Sequence, residues 1–411
     1  MDRRLRLQNS RIQLKILIVH NNYGRPSGEE GVVEKMICML QEHGYEVATY
    51  RKTTEKERYS LLGSIHGFFA GIFCASGIWG MWRAIRRERP DVVNVHNLFP
   101  FISPAALYVC RWMKVPVVMT IHNFRLICPN GLFMNNGMPC EMCLKKDSAW
   151  LCLKNRCEGS LSKSLGYTLR TVFARRIHAY DKVTAFACIT SFQKQKLQIA
   201  HFPAHKLQVI PNFVTMQEKH KDYSSRNEGY IAYAGRLSKE KGIDMLLEIA
   251  DKYPDIPFLL AGELRDRELL QKIPRNCKLM GFLTADKLDD FYKKATFFVM
   301  PSRWYEGFPM TILETACYGK PCICPAHGGF TEIIGEGEEA IGVLFHPNDP
   351  DDLEQEIINL WSHPERIEEL GRRAYEKVNK EYSSEVVFRK WKKLLDRMSE
   401  KQIDKIINIS K

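Results

Sequence analysis

The 411-residue sequence contains no fixed-period repeat and no low-complexity tract, so solenoid, propeller and fibrous architectures are excluded. It shows no secretory signal. The opening MDRRLRLQNSRIQL is basic, and the apolar run behind it, Lys15 to His20, has strand length and no cleavage-site flank. Thirteen cysteines without such a signal point to a reducing, cytoplasmic setting in which thiols stay free or bind metal. Acidic residues are scarce in the first half. Residues 1–200 hold 14 Asp and Glu against 29 Lys and Arg, a net of +15; the remainder holds 34 against 31, a net of −3. A basic half beside a near-neutral one suggests an anionic partner for the first half alone: nucleic acid, an anionic membrane or a phosphate-bearing acceptor. Against nucleic acid, the positive charges are scattered and lack an interleaved aromatic platform.

Charge of either sign is absent from Leu61 to Trp82. The stretch is long enough to span a bilayer. However, it carries five glycines, and Ile65, Phe68, Phe69, Ile72 and Phe73 fall on one helical stripe, with Arg83, Arg86, Arg87 and Arg89 following at once. A buried or interface-lying helix is expected, held peripherally at the inner face of an anionic membrane.

The length suits two domains. Apolar strands are expected at Lys15–His20, Val92–Val95, Val117–Ile121 and Ala185–Ile189 in the first half. In the second they are Gln208–Ile210, Tyr230–Ala234, Phe258–Ala261, Lys278–Met280, Phe297–Met300, Cys322–Cys324 and Gly342–Phe345. Amphipathic helices such as Gly242–Lys252 and Ala285–Lys294 alternate with them, which implies parallel sheets covered on both faces. The domains are expected to meet near residue 200 (1–200 and 201–380), with a final helix in 381–411 returning to the first.

The chemistry concentrates in Glu306-Gly307-Phe308-Pro309-Met310-Thr311-Ile312-Leu313-Glu314. One carboxylate lies in the loop after an apolar strand and the other about one turn into the next helix, both toward the crevice where open α/β sheets bind ligands. Ionised carboxylates only accept hydrogen bonds, which suits a ligand rich in hydroxyl donors. By spacing alone, a solvated loop acid beside an unrelated helix acid fits equally well. Arg236 follows a strand beside Gly235, and Lys241 comes five residues later, before Gly242 and a helix start. Two cations there would make an anion site, with Arg forking two phosphate oxygens and Lys acting as a point charge. Exposed basic loop residues are the plainer alternative.

These motifs resemble, over nearly the whole length, those of a family 4 retaining glycosyltransferase of the GT-B fold. The likeness rests on Ser27-Gly28-Glu29 after the first strand, His122, Gly235-Arg236-Leu237 with Lys239-Glu240-Lys241-Gly242, and the Glu306/Glu314 pair. It implies two Rossmann-like α/β domains facing each other across a cleft. It also implies a donor nucleotide-diphosphate sugar (UDP- or GDP-linked), a glycan or lipid-linked acceptor, and a role in cell-surface polysaccharide such as lipopolysaccharide or capsule. By resemblance, Gly235, Arg236 and Lys241 hold the diphosphate in place of a catalytic metal. Glu306 and the Gly307-Phe308-Pro309-Met310 loop meet the sugar. Glu314 binds the ribose, and Gly281-Phe282-Leu283 the base. His122 is the active-site histidine, and Gly28, Glu29 and His96 line the acceptor side. The acceptor hydroxyl would attack from the face the diphosphate leaves, with a phosphate oxygen taking its proton. Two alternatives are a nucleotide-sugar epimerase of the same fold, for which the acceptor-side features would be idle, and a Cys-cluster module that binds nucleic acid or protein.

Five cysteines lie between Cys128 and Cys157, and Cys140-Glu141-Met142-Cys143 has a spacing that chelates zinc well. The segment is loop-like, with Pro129, Gly131, Gly137 and Pro139, and free or redox-active thiols are the alternative. Resemblance to a polysaccharide-associated subset of the family implies a structural zinc on Cys128, Cys140, Cys143 and Cys157, leaving Cys152 spare.

Overall fold

The computed structural model describes residues 14–24, 28–55, 61–216 and 229–409. The first sheet contains β1 (Lys15–Asn22), β2 (Glu46–Thr53), β3 (Val92–Asn97), β4 (Val117–Ile121), β7 (Ala185–Cys188) and β8 (Leu207–Val209). A small hairpin, β5 (Met134–Asn135) and β6 (Met138–Pro139), stands apart. The strand order is β2-β1-β3-β4-β7-β8, and every pair is parallel. The second sheet, β9 (Tyr230–Ala234), β10 (Phe258–Ala261), β11 (Cys277–Gly281), β12 (Ala295–Val299), β13 (Cys322–Pro325) and β14 (Val343–Phe345), is also all parallel, in the order β11-β10-β9-β12-β13-β14. Buried strands such as β4, β7, β9 and β12 are almost wholly apolar because helices cover both faces. The molecule therefore has the two-domain GT-B architecture expected.

Each sheet has a point where the strand order reverses: β1 against β3 in the first, β9 against β12 in the second. Chain ends leave adjacent strands in opposite directions there, which opens a crevice at the carboxyl edge. His20, in β1, and His96, in β3, lie at the first crevice. The loops carrying Arg236 and Glu306 follow β9 and β12 at the second.

The helices of the first domain are α1 (Gly28–Glu42), α2 (Leu61–Ile72), α3 (Ala75–Glu88), α4 (Leu107–Trp112), α5 (Met142–Lys145), α6 (Trp150–Lys154), α7 (Leu161–Arg176) and α8 (Ser191–Ile199). Those that follow are α9 (Ile243–Lys252), α10 (Ala285–Lys294), α11 (Met310–Ala316), α12 (Gly329–Ile334), α13 (Pro350–Trp361), α14 (Pro364–Tyr382) and α15 (Ser384–Ile409). Val387, Phe388, Trp391, Leu394 and Leu395 of α15 lie in one apolar cluster with Ile16, Ile18, Val118 and Ala187 of the first sheet. The His43 ring stacks on Phe388 at 3.5 Å and meets Glu385 at 3.0 Å.

Two sequence expectations are corrected. The strand near residues 208–210 does not open the second domain. Its three residues pair with β7, which puts the first domain's end beyond residue 209 rather than at 200. A three-residue apolar run carries no signal of which sheet will take it, because pairing is decided by tertiary register. The charge-free stretch is also not one helix: α2 and α3 meet at a bend of 57°. Gly77 explains part of this. A Cβ there would sit 2.4 Å from the Phe101 carbonyl oxygen, so α3 is drawn against the loop after β3 rather than continuing the line of α2.

Candidate active site

Tertiary structure brings Arg236, Lys241 and Glu306 together around one indole. Lys241 closes a single turn of 3-10 helix (Lys239–Lys241), and Gly242 then takes φ +70° to start α9. A Cβ at Gly242 would lie 1.9 Å from the Pro301 carbonyl oxygen, so only glycine lets this turn pack against the end of β12. The Lys241 ammonium is thereby held against the Glu306 carboxylate, with both side chains under 15% exposed (14% and 12%). The same Glu306 Oε1 accepts from Ser302 Oγ at 3.0 Å and from Trp304 Nε1 at 2.8 Å. Arg236 and Lys241 flank the Trp304 ring at 5.4 and 5.1 Å. Burial alone would raise the Glu306 carboxyl; the Lys241 charge and the donated hydrogen bonds outweigh it and hold it below the usual carboxylate range. Glu306 is thus an ionised hydrogen-bond acceptor with three donors on Oε1.

Glu314 lies in α11, accepts from the Tyr292 hydroxyl at 3.0 Å, and faces Lys35 of α1 across the cleft at 3.6 Å. Gly281 ends β11, and Phe282 after it is 64% exposed, open to a flat ligand. Phe308 turns inward, into the second core beside Tyr382, so only its backbone is left for a ligand. Pro309 precedes α11, and Met310 begins it.

His122 stands opposite. An ideal Cβ on Gly307 would be 3.1 Å from the His122 carbonyl oxygen, so the Glu306 loop and the end of β4 nearly touch. His122 Nε2 and His96 Nδ1 are 2.8 Å apart, the rings stacked at 5.1 Å. Burial pushes His122 down to about 4 and His96 well below its ordinary value, so both rings are neutral near pH 7. The shared bond occupies Nε2 of His122 and leaves Nδ1 for a ligand.

Around Glu29 the sequence reading missed three partners. Tyr23 donates to Glu29 Oε2 at 2.8 Å, Arg125 Nη1 donates to the Tyr23 hydroxyl at 3.1 Å, and His20 Nδ1 lies 3.8 Å from Glu29 Oε1. Burial raises the Glu29 carboxyl and lowers His20 to about 4. Gly28, at the start of α1, is exposed; Ser27 lies outside the described residues. His20 reads as part of an apolar strand, which hid it. Trp304 and Ser302 were discoverable from their place in the loop that carries Glu306.

Four histidines, His20, His96, His122 and His327, have folded-state values lowered by burial, three of them to about 4. Such a ring stays neutral in the native state while the unfolded chain takes up a proton near pH 6.5. Stability is therefore full above pH 6.5 and is lost as pH falls from there toward 4, by up to about 1.4 kcal/mol per histidine per pH unit. We expect the melting temperature to hold between pH 7 and 8 and to fall steeply from pH 6.5 to 4.5. A flat profile over that lower window would mean that the rings are not buried as described.

The cysteines pair differently from the set named by resemblance. Cys143 pulls Cys128 down to about 7 and is itself pushed up, Cys157 and Cys152 stand in the same relation, and the Cys128 thiol donates to Asn130 Oδ1 at 3.0 Å. Cys140 belongs to neither pair; it follows β6, its N–H bonded to the Phe133 carbonyl at 2.6 Å. Among the described residues no three His, Cys, Asp or Glu side chains converge as a metal site. Cys152, expected to be spare, acts electrostatically on Cys143 and Cys157, as Cys128 does.

Residues 26–218 match the family model described as Glycosyltransferase Family 4, and residues 215–377 match Glycosyl transferases group 1. An uncharacterized glycosyltransferase of Methanocaldococcus jannaschii is 25% identical over 403 residues, 95% of this chain and all of the relative. The alpha-galactosylglucosyldiacylglycerol synthase of Streptococcus pneumoniae is 24% identical over 57% of this chain and 66% of its own length. Among solved structures, Anabaena HepE in complex with UDP and glucose superposes with a TM-score of 0.65 at 15% identity, covering 94% of this chain and 100% of HepE. The apo lipopolysaccharide outer core galactosyltransferase WaaB gives 0.61, also at 15%, covering 92% and 98%.

Proposed function

Because the chain belongs to the glycosyltransferases, its two halves matching the family 4 and group 1 models in turn, we propose that it moves a sugar from a nucleotide-diphosphate donor to a hydroxyl of a glycan or lipid-linked acceptor, with retention at the anomeric carbon. The observation that carries this reading is the buried Lys241–Glu306 pair, beside Arg236, at the reversal point of the second sheet and directly opposite His122. In the free protein Lys241 neutralises Glu306. A diphosphate would take over Lys241 and Arg236, freeing Glu306 to accept from sugar hydroxyls. Glu314 would accept from the ribose hydroxyls, and the exposed Phe282 would lie against the base. The chemistry is charge stabilisation on a leaving diphosphate by preorganised cations, with no metal needed at the clamp. Neutral His122 would hydrogen-bond the transferring sugar, and a leaving-phosphate oxygen would take the acceptor's proton. Glu306 would serve as a hydrogen-bond acceptor for the sugar, and the acceptor hydroxyl itself would attack the anomeric carbon. The UDP named with HepE and the glycolipid named in the streptococcal synthase support a UDP-sugar and a lipid-linked acceptor.

A screen of nucleotide sugars by thermal shift tests the donor. A ligand at 100 times its Kd should stabilise the donor-binding state by about 2.7 kcal/mol. The hit is expected among UDP- or GDP-sugars, and the absence of any hit would count against the donor assignment.

A face of the first domain supports a lipid-linked acceptor. Ile65, Phe69 and Phe73 of the α2 region and Trp79 of α3 are each about half exposed or more (49%, 63%, 50% and 57%). Arg83 lies over Trp79 at 4.6 Å and Arg86 over Trp82 at 5.0 Å, with Arg87 and Arg89 also exposed. Among the described residues no single helix is long and apolar enough to cross a membrane, although the bent α2–α3 pair passes by length and composition. Aromatic side chains bordered by guanidinium groups suit the boundary between acyl chains and anionic headgroups. We expect the protein to sediment with vesicles containing phosphatidylglycerol and Phe69→Asp with Trp79→Ser to abolish this. Sedimentation that survives both changes, or never occurs, would remove the membrane from the proposal.

A further inference from the structure

Tyr305 belongs by sequence to the second domain, yet its ring packs against the apolar core of the first. It meets Phe192 of α8 at 5.2 Å and Phe133 of the cysteine-rich insertion at 6.3 Å, both edge to face. Burial and then the Glu141 carboxylate, inside the C-x-x-C of the insertion, raise the Tyr305 hydroxyl, as fits two groups side by side. Glu141 is in turn held by Lys196 of α8 at 2.6 Å, with both side chains largely buried, and the Lys196 ammonium stands 6.0 Å from the Tyr305 ring. Glu332 of α12 completes the contact, accepting from the Ser191 and Phe192 N–H groups at the start of α8 at 2.9 and 3.1 Å. Tyr305 is the neighbour of Trp304 and Glu306, whose side chains meet at the cationic cluster.

We propose that Tyr305 is a positioning residue through which the first domain's cysteine-rich insertion fixes the Glu306 loop in the closed molecule. The insertion thus serves the donor side of the cleft as well as its acceptor wall. The three residues Trp304-Tyr305-Glu306 alternate in direction: Trp304 and Glu306 meet each other, while Tyr305 points into the other domain. A rigid hold on the middle residue limits where the flanking two can stand. Opening of the cleft would separate Tyr305 from Phe192, Phe133 and the Glu141–Lys196 pair and release the loop, so placement of the Glu306 carboxylate is tied to closure. The inference rests on the donor-sugar role of Glu306 given above.

Two measurements test it. Hydrogen–deuterium exchange would follow the peptide containing Arg303 to Met310 in wild type, Tyr305→Phe and Glu141→Gln. The affinity of each protein would be measured for the nucleotide sugar found by thermal shift and for its bare nucleoside diphosphate. Glu141→Gln changes only the first domain and Tyr305→Phe keeps the ring, so both should fold. Each is expected to speed exchange in this second-domain peptide and to weaken nucleotide-sugar binding by about fivefold to tenfold while sparing the bare diphosphate, with the double variant no worse than the worse single. Unchanged exchange, or equal losses for both ligands, would overturn the positioning role. If wild type binds neither ligand, the donor reading itself fails, and the exchange result still decides whether the insertion holds the loop.

Discussion

Replacing Lys241 by methionine is expected to lower kcat/KM by about 10²–10³-fold, the usual loss when one preorganised partner of developing negative charge is removed. The same change should also destabilise the free protein, because Lys241 does two things in turn. Without donor it neutralises a carboxylate that is only 12% exposed. Removing one member of such a pair leaves the other buried and uncompensated, at a cost of about 3 kcal/mol for well-buried pairs and less here, where both groups keep some water. Three consequences separate this from a surface lysine. The cost should shrink at low pH, since Glu306 then takes a proton; its carboxyl is held below the ordinary range, so the pair's contribution is present above about pH 4.5 and is lost as pH falls below it. Glu306→Gln should largely restore stability in the Lys241→Met background without restoring activity. Arg236→Ala should cost activity with little effect on stability, because Arg236 is about a third exposed and its contacts with Glu240 at 3.7 Å and the Trp304 ring at 5.4 Å are loose. Urea unfolding of wild type and these three variants at pH 7 and 4, with kcat/KM at pH 7, measures all of this. A Lys241→Met protein as stable and as active as wild type would dismantle the clamp.

The second large effect is at His122. His122→Ala is expected to reduce kcat by about 10²–10³-fold while leaving the Kd for nucleoside diphosphate within about twofold, since His122 ends β4 on the wall opposite the loop of Arg236 and Lys241, the proposed diphosphate site. The pH profile distinguishes its role further. An imidazole working as a general base would show an inflection near its ordinary pKa. Burial pushes His122 to about 4 and His96 lower still, so transfer should show no inflection between pH 6 and 8 from this pair. His96→Ala should give a smaller loss, because it acts by orienting His122 through the 2.8 Å bond. Equal kcat in wild type and His122→Ala would reject the assignment.

How much of this was legible beforehand follows a physical division. Strand–helix alternation and near-continuous apolar strands gave both parallel sheets, because burial on two faces leaves that pattern in the residues themselves. That Arg236 and Glu306 stand beside one crevice was legible because a reversal point puts the loops after β9 and β12 next to each other. His96 and His122 were both named, but their pairing was not, since 26 residues separate them and only the parallel alignment of β3 and β4 makes them neighbours. His20 was hidden inside an apolar strand. Tyr305 was passed over although it stands between two named features; its partners Glu141, Phe133 and Phe192 lie more than a hundred residues away in another domain. The break between α2 and α3 and the allegiance of β8 were set by contacts of the same long-range kind. The cysteine-rich insertion was legible only in part: C-x-x-C pointed to Cys140 and Cys143, while the electrostatic link between Cys143 and Cys128 depends on the fold of the insertion.

Calorimetric titration of UDP and GDP into wild type, Arg236→Ala and Glu314→Ala examines the donor site with no knowledge of the acceptor. One of the two nucleotides should bind wild type, and each substitution should weaken that binding about tenfold or more, the loss of one charge-assisted contact. Binding of neither nucleotide by wild type, or affinity untouched by both substitutions, would contradict a donor site built from the Arg236 loop and Glu314.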